Sequence, residues 1–90
     1  MALALKDPSL LETRAFLGGE WVATGKTFPV VNPATGEKIA DVTDLTPEDT
    51  KRAIDLAYEA QSEWRRKTAK ERCAILLKWN DLMLENQEDL

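Results

Sequence analysis

The sequence predicts a mixed α/β segment, with short β-hairpins in its first half and two α-helices in its second. Three observations carry this. Apolar runs of three to five residues alternate with Gly and Pro turn signals up to Val42, too short and too broken for helices. Two Thr-led helix starts then open long stretches with a 3.6-residue period. The second of these stretches is apolar around most of its circumference, so it asks for more neighbours than the rest of these 90 residues supplies.

Asp7-Pro8 reads as an N-cap with Pro at the first helical position, opening a short turn through Leu11 or Glu12. Ala15 to Leu17 and Glu20 to Ala23 read as strands joined by Gly18-Gly19. Two glycines suit a type I′ turn, in which both central residues need positive φ. Thr24, Gly25 and Lys26 form a second turn. Thr27 to Val31 is a third strand, which Pro29 confines to an edge or an end because it lacks a ladder donor. Asn32-Pro33-Ala34-Thr35-Gly36 is a turn with Pro pre-set at its second position and Gly free to take positive φ. Lys38 to Val42 is the fourth strand.

Thr46-Pro47-Glu48-Asp49 supplies a hydroxyl N-cap, Pro at the first helical position and acids in the first turn. Asp49 stands where a capping-box acid would, with a shorter reach. The first helix should run from about 47 to 63, with Thr50, Ala53, Ile54, Ala57, Ala60 and Trp64 inward. Glu48 with Arg52, and Lys51 with Asp55, are spaced for outer ion pairs.

Thr68-Ala69-Lys70-Glu71 is a regular capping box opening a second helix, expected over about 69–90. Ile75, Leu76, Trp79, Leu82, Met83 and Leu90 fall on one side, and Cys73, Leu77 and Leu84 widen it to roughly 220° of arc, against the ≳100° of a surface helix. After the last turn the pattern offers no Gly or Asn cap, no following Pro and no cation near the end to meet the helix dipole. The expectation is a helix interrupted at Leu90 and a chain that continues in a larger parent. An arm over residues 1–14 precedes a body over 15–90, with strands at about 15–42.

Composition is ordinary for a soluble globular protein, with 43% hydrophobic and 31% charged residues. Net charge is −4 and no basic stripe occurs, which argues against a nucleic-acid partner. Arg65, Arg66, Lys67 and Lys70 form the one cationic run and read as a solvated face between helices. The apolar start, Met1 to Leu5, is broken by Lys6 and Asp7, too short for a signal peptide or a membrane span. One cysteine and no histidine exclude an internal disulfide, and a Cys–His or Ser–His–Asp constellation cannot be assembled from these residues. A reducing, cytoplasmic setting is expected.

No self-contained catalytic, cofactor-binding or metal site is expected. Cys73 lies about five residues past the second N-cap, too far along for the helix end to activate it, and reads as a packing cysteine. Gly18-Gly19 is no phosphate loop, because no helix follows it. Trp21, Trp64 and Trp79 lie on separate elements and suit core or inter-domain packing better than stacking on a ligand.

The run Ala15-Phe16-Leu17-Gly18-Gly19-Glu20-Trp21-Val22, followed by Thr27-Phe28-Pro29-Val30-Val31-Asn32-Pro33-Ala34-Thr35-Gly36-Glu37-Lys38, resembles the opening of an NAD(P)-dependent aldehyde dehydrogenase. The Thr-Pro-Glu-Asp helix start and the alanine spacing after it fit the same superfamily. The stretch from Trp64-Arg65 through Thr68 to Leu90 is similar to succinate-semialdehyde dehydrogenases in particular.

The resemblance implies an α/β parent of several hundred residues, a dimer or tetramer, in which this segment packs on a Rossmann-like cofactor domain. That parent would oxidise an aldehyde, with succinate semialdehyde expected, through a cysteine thiohemiacetal. Hydride would pass to NAD or NADP, and a glutamate would activate water to release the acid. None of the family's catalytic or cofactor residues has a matching position here, and Cys73 matches none of them. Some members bind a monovalent cation partly through backbone carbonyls in the stretch matching Val30 and Val31. The alternative expectation is a non-catalytic module that binds a partner through its second helix, or an aldehyde dehydrogenase with another substrate.

Overall fold

The first hairpin follows from two glycines. In the computed structural model, which describes residues 3–90, Gly18 and Gly19 have φ of +57° and +83°. They turn β1 (Ala15–Leu17) back onto β2 (Glu20–Val22) in antiparallel register, Phe16 facing Trp21. This is the conformation the type I′ reading requires. The Phe16 and Trp21 rings lie 4.9 Å apart, and the Arg14 guanidinium sits 5.8 Å from the Trp21 ring centre.

The second hairpin pairs β3 (Thr27–Val31) with β4 (Lys38–Thr43), Pro29 opposite Asp41. A two-stranded sheet has only edges, so Pro29 is tolerated. The connecting turn is held by side chains. Asn32 Oδ1 accepts from Ala34 N–H, Thr35 Oγ1 accepts from Glu37 N–H, and Gly36, at φ +75°, donates its N–H to Asn32 O at 2.7 Å. β4 runs one residue beyond the expected end, because Thr43 pairs with Thr27 and also donates its N–H to Thr13 O at 2.9 Å.

Both helices start as their caps dictate. α1 (Pro47–Trp64) and α2 (Ala69–Glu85) each open with a reciprocal capping box. Thr46 Oγ1 accepts from Asp49 N–H at 3.2 Å, and Asp49 Oδ2 accepts from Thr46 N–H at 3.1 Å. Asp49 therefore performs the role of the longer acid, and the same exchange joins Thr68 and Glu71 at 3.2 and 3.0 Å.

Three expectations are corrected. α2 ends at Glu85 and not at Leu90, with Asn86 as its C-cap and residues 86–89 in turns. The Asn86 amide donates to Leu82 O at 2.8 Å, and Asn86 O takes up the N–H groups of Asp89 and Leu90. A short polar side chain thus competes for the last carbonyls, at a φ of −108°, without the left-handed turn usual for such a cap. On α1, Ile54 is 63% exposed and Leu56 takes the inner place, with Leu56 Cδ1 only 3.0 Å from where a side chain on Gly18 would begin. Finally, Glu48–Arg52 and Lys51–Asp55 form no ion pairs among the described residues, consistent with the small gain such exposed pairs offer against side-chain entropy.

Packing between these elements is sparse. Leu17, at 8% exposure, is the only buried hydrophobic side chain among the described residues. The radius of gyration is 16.6 Å, whereas a closed domain of this length would have about 12 Å. The accessible surface is 7573 Å², against roughly 5,300 Å² for a compact protein of this mass. The sequence forms its secondary structure and local turns but encloses almost no core.

Candidate functional site: an open apolar helix face

The sequence sets apolar residues along α2, and the structure leaves them uncovered. Ile75, Leu76, Leu77, Trp79, Leu82 and Leu84 are 47–61% exposed, and Met83 is 41% exposed. Soluble proteins seldom show a contiguous apolar surface on this scale without a binding purpose. Where α2 departs from α1, a groove of about 520 Å³ is lined by Trp64, Ala69, Arg72, Cys73, Leu76 and Leu77, with Asn80 at its far side.

Arg72 is half-buried in this groove, and its Nε is shut off from solvent with no hydrogen-bond partner among the described residues. A buried donor without a partner is costly, and for a charged group more so. Sequence reasoning singled out no role for Arg72. Only the three-dimensional structure, which sets it in one groove with Trp64, reveals the enclosure.

Other singled-out residues do not converge. Cys73 is exposed and lines the groove, with no base beside it among the described residues. Trp21 meets the Phe16 ring at a tilt, Trp64 borders the groove and Trp79 stands 60% exposed, so the three tryptophans form no joint platform. Arg65, Arg66, Lys67 and Lys70 make no ion pair among the described residues. No group of three or more His, Cys, Asp or Glu among them could hold a metal. No described helix is long and apolar enough to cross a membrane.

A second polar cluster joins the two ends of the described chain. Asp89 Oδ1 accepts from Lys6 N–H at 2.8 Å and Oδ2 from Asp7 N–H at 3.0 Å, while Lys6 Nζ pairs with Glu88. These two N–H donors hold the Asp89 carboxyl below its usual range. Glu12 accepts from the Arg14 side chain at 2.8 and 3.0 Å and from Arg14 N–H at 3.0 Å, which lowers its pKa to about 2.

The sequence profile of the Aldehyde dehydrogenase family matches residues 21–90. A 3-sulfolactaldehyde dehydrogenase of Pseudomonas putida is 51% identical over 98% of this chain. An NADP(+) succinate-semialdehyde dehydrogenase of Schizosaccharomyces pombe and a glutarate-semialdehyde dehydrogenase of Pseudomonas putida are each 47% identical over the same share. The crystal structure of an aldehyde dehydrogenase from Brucella melitensis biovar abortus superposes with a TM-score of 0.92 at 47% identity, covering 97% of this chain and 18% of that one. The chain belongs to the aldehyde dehydrogenase family, and its hairpins and helices have the fold of a segment of those α/β enzymes. It spans 18–19% of the length of these relatives.

The residues present do not fit the nicotinamide cofactor that this family implies. Gly18-Gly19 turns between two strands and leads into no helix. The first turns of α1 and α2 carry Glu48, Asp49 and Glu71, which would repel a pyrophosphate. Val30 and Val31, the stretch associated with a monovalent cation, straddle a register irregularity in the β3–β4 ladder. No carboxylate cluster stands by to complete such a site among the described residues.

Proposed function

We propose that this chain is the N-terminal segment of a longer NAD(P)-dependent aldehyde dehydrogenase, with residues 15–90 forming the first part of its cofactor domain. The uncovered side of α2 carries this reading. It is dressed for an interior, and the matched relatives are more than five times longer than the chain. The segment's role is architectural. The first hairpin lies against α1 through Gly18 and Leu56, and α2 offers the surface on which further secondary structure packs. Nucleophile, water-activating base and cofactor loop belong to the remainder, and the whole enzyme assembles as a dimer or tetramer.

The substrate proposed is a short aldehyde with an anionic group at its far end. Sulfolactaldehyde, succinate semialdehyde and glutarate semialdehyde, named for the relatives above, share that character. Succinate semialdehyde is the first candidate. The test is to supply these three aldehydes with NAD and with NADP to the full polypeptide and follow the reduced nicotinamide. Oxidation of succinate semialdehyde is expected, and the 90-residue chain alone should be inert. A full polypeptide that oxidises none of the three would contradict the proposal.

The open α2 face also favours a second reading, a non-catalytic module that binds another protein. Stable, stoichiometric binding of the 90-residue chain to a separate polypeptide, with no aldehyde oxidation by any longer form, would establish it instead.

A further inference from the structure

The proposed function leaves Arg72 unexplained. Its Nε is enclosed and unpartnered, in a groove otherwise lined by Trp64, Ala69, Cys73, Leu76, Leu77 and the amide of Asn80. Covering such a groove with apolar side chains alone would bury a guanidinium without a counter-charge, which is among the most unfavourable arrangements in a protein interior. The surroundings add no compensation. Arg65, Arg66, Lys67 and Lys70 precede Arg72, and Glu71, the one acid among them, is engaged in the capping box of α2. None of these five cations has an ion pair among the described residues.

From this we infer that the groove between the end of α1 and the start of α2 receives an apolar segment that places an Asp or Glu carboxylate on Arg72. The occupant is a later part of the same polypeptide, so the inference rests on the reading of the chain as one segment of a longer enzyme. Two observations select that occupant. The relatives extend far beyond the length matched here, so ample chain exists to fill the groove. A second copy docking groove to groove about a two-fold axis would set Arg72 against Arg72 and cation run against cation run, which is repulsive. The guanidinium fork fits a carboxylate through two parallel hydrogen bonds, so the pair also fixes the approach of the covering segment.

Cys73 provides the test, because it is exposed beside Arg72 when the groove is open. The full polypeptide is treated with N-ethylmaleimide under native conditions, and modification is read on the Cys73 peptide by mass spectrometry. Labelling is expected to be roughly a hundredfold slower than in denaturant, as for a group that reacts only on opening. Equal rates would overturn a covered groove. Protection that vanishes on dilution to monomers would assign the cover to a second copy and overturn the occupant proposed.

Arg72→Met and Arg72→Lys then test the carboxylate. The Met variant is expected to lower the thermal midpoint and the Lys variant to recover part of the loss. Identical midpoints for all three proteins would overturn the pairing. Protection of Cys73 in a polypeptide that oxidises no aldehyde would leave this inference standing while the proposed function fell.

Discussion

The Asp89 carboxylate accepts the backbone N–H of Lys6 at 2.8 Å, across 83 positions of sequence. With a second bond from Asp7 N–H and the Lys6–Glu88 pair, it ties the N-terminal arm to the turn that follows α2. An acid at a helix C-terminal end is unfavourable for the dipole. Here it accepts from two backbone donors of the arm.

Replacing Asp89 by Ala should therefore release the arm without disturbing the helices. Hydrogen exchange at the Lys6 and Asp7 amides would speed up, while the amides of α1 keep their rates. The same contact is acid-sensitive. Asp89 has a folded pKa below its unfolded one, so its contribution is complete above the ordinary aspartate range and disappears as pH falls through the lower folded value. Uniform protection of Lys6 and Asp7 down through that range would contradict the assignment.

Glu12 gives a sharper titration. Its carboxyl, held chiefly by the Arg14 side chain and then by Arg14 N–H, should titrate near 2 by carbon-detected NMR, against an ordinary 4.5. The pair's contribution is thus present above 4.5 and lost between 4.5 and about 2. Arg14→Met should return Glu12 most of the way to the ordinary value. It should also uncover Trp21, seen as a change in its fluorescence.

The first turn discriminates between its glycines. Both have positive φ, so Ala at either position costs about 1–2 kcal/mol in backbone strain. Gly19 opens to free space, whereas a Cβ on Gly18 would lie 3.0 Å from Leu56 Cδ1. In the full polypeptide Gly18→Ala should be the more destabilising, because Leu56 must also move. Equal losses in thermal midpoint would show that Leu56 yields freely.

Thr46→Ala and Thr68→Ala should each remove about 1 kcal/mol by leaving first-turn donors without their acceptor. Thr→Ser at the same sites should restore most of it. Chemical denaturation of the full polypeptide measures all four variants.

These caps were legible in the sequence because the chemistry lies within four residues. A Thr with an acid three positions on can scarcely do anything else before a helical pattern. The Gly18-Gly19 turn was legible for the same reason. Asn86 was not, since the apolar period runs on through Leu90 and a cap at ordinary φ leaves no glycine-like mark. Leu56 was hidden because α1 is apolar on two sides, and only the position of the first hairpin decides which of them is covered. Asp89 and Arg72 were beyond reach, as their meaning depends on what three-dimensional structure brings near or leaves vacant.

The proposed function requires α2 to present an interior surface, on which the rest of a longer polypeptide closes. Calorimetry with far-ultraviolet circular dichroism on the isolated 90-residue chain tests it most directly. An independently folded domain of this size would unfold in one sharp step with an enthalpy of about 60 kcal/mol. The account predicts a broad, shallow transition with far less heat, because only one hydrophobic side chain is buried among the described residues. A sharp, reversible transition of full enthalpy at low protein concentration would contradict it.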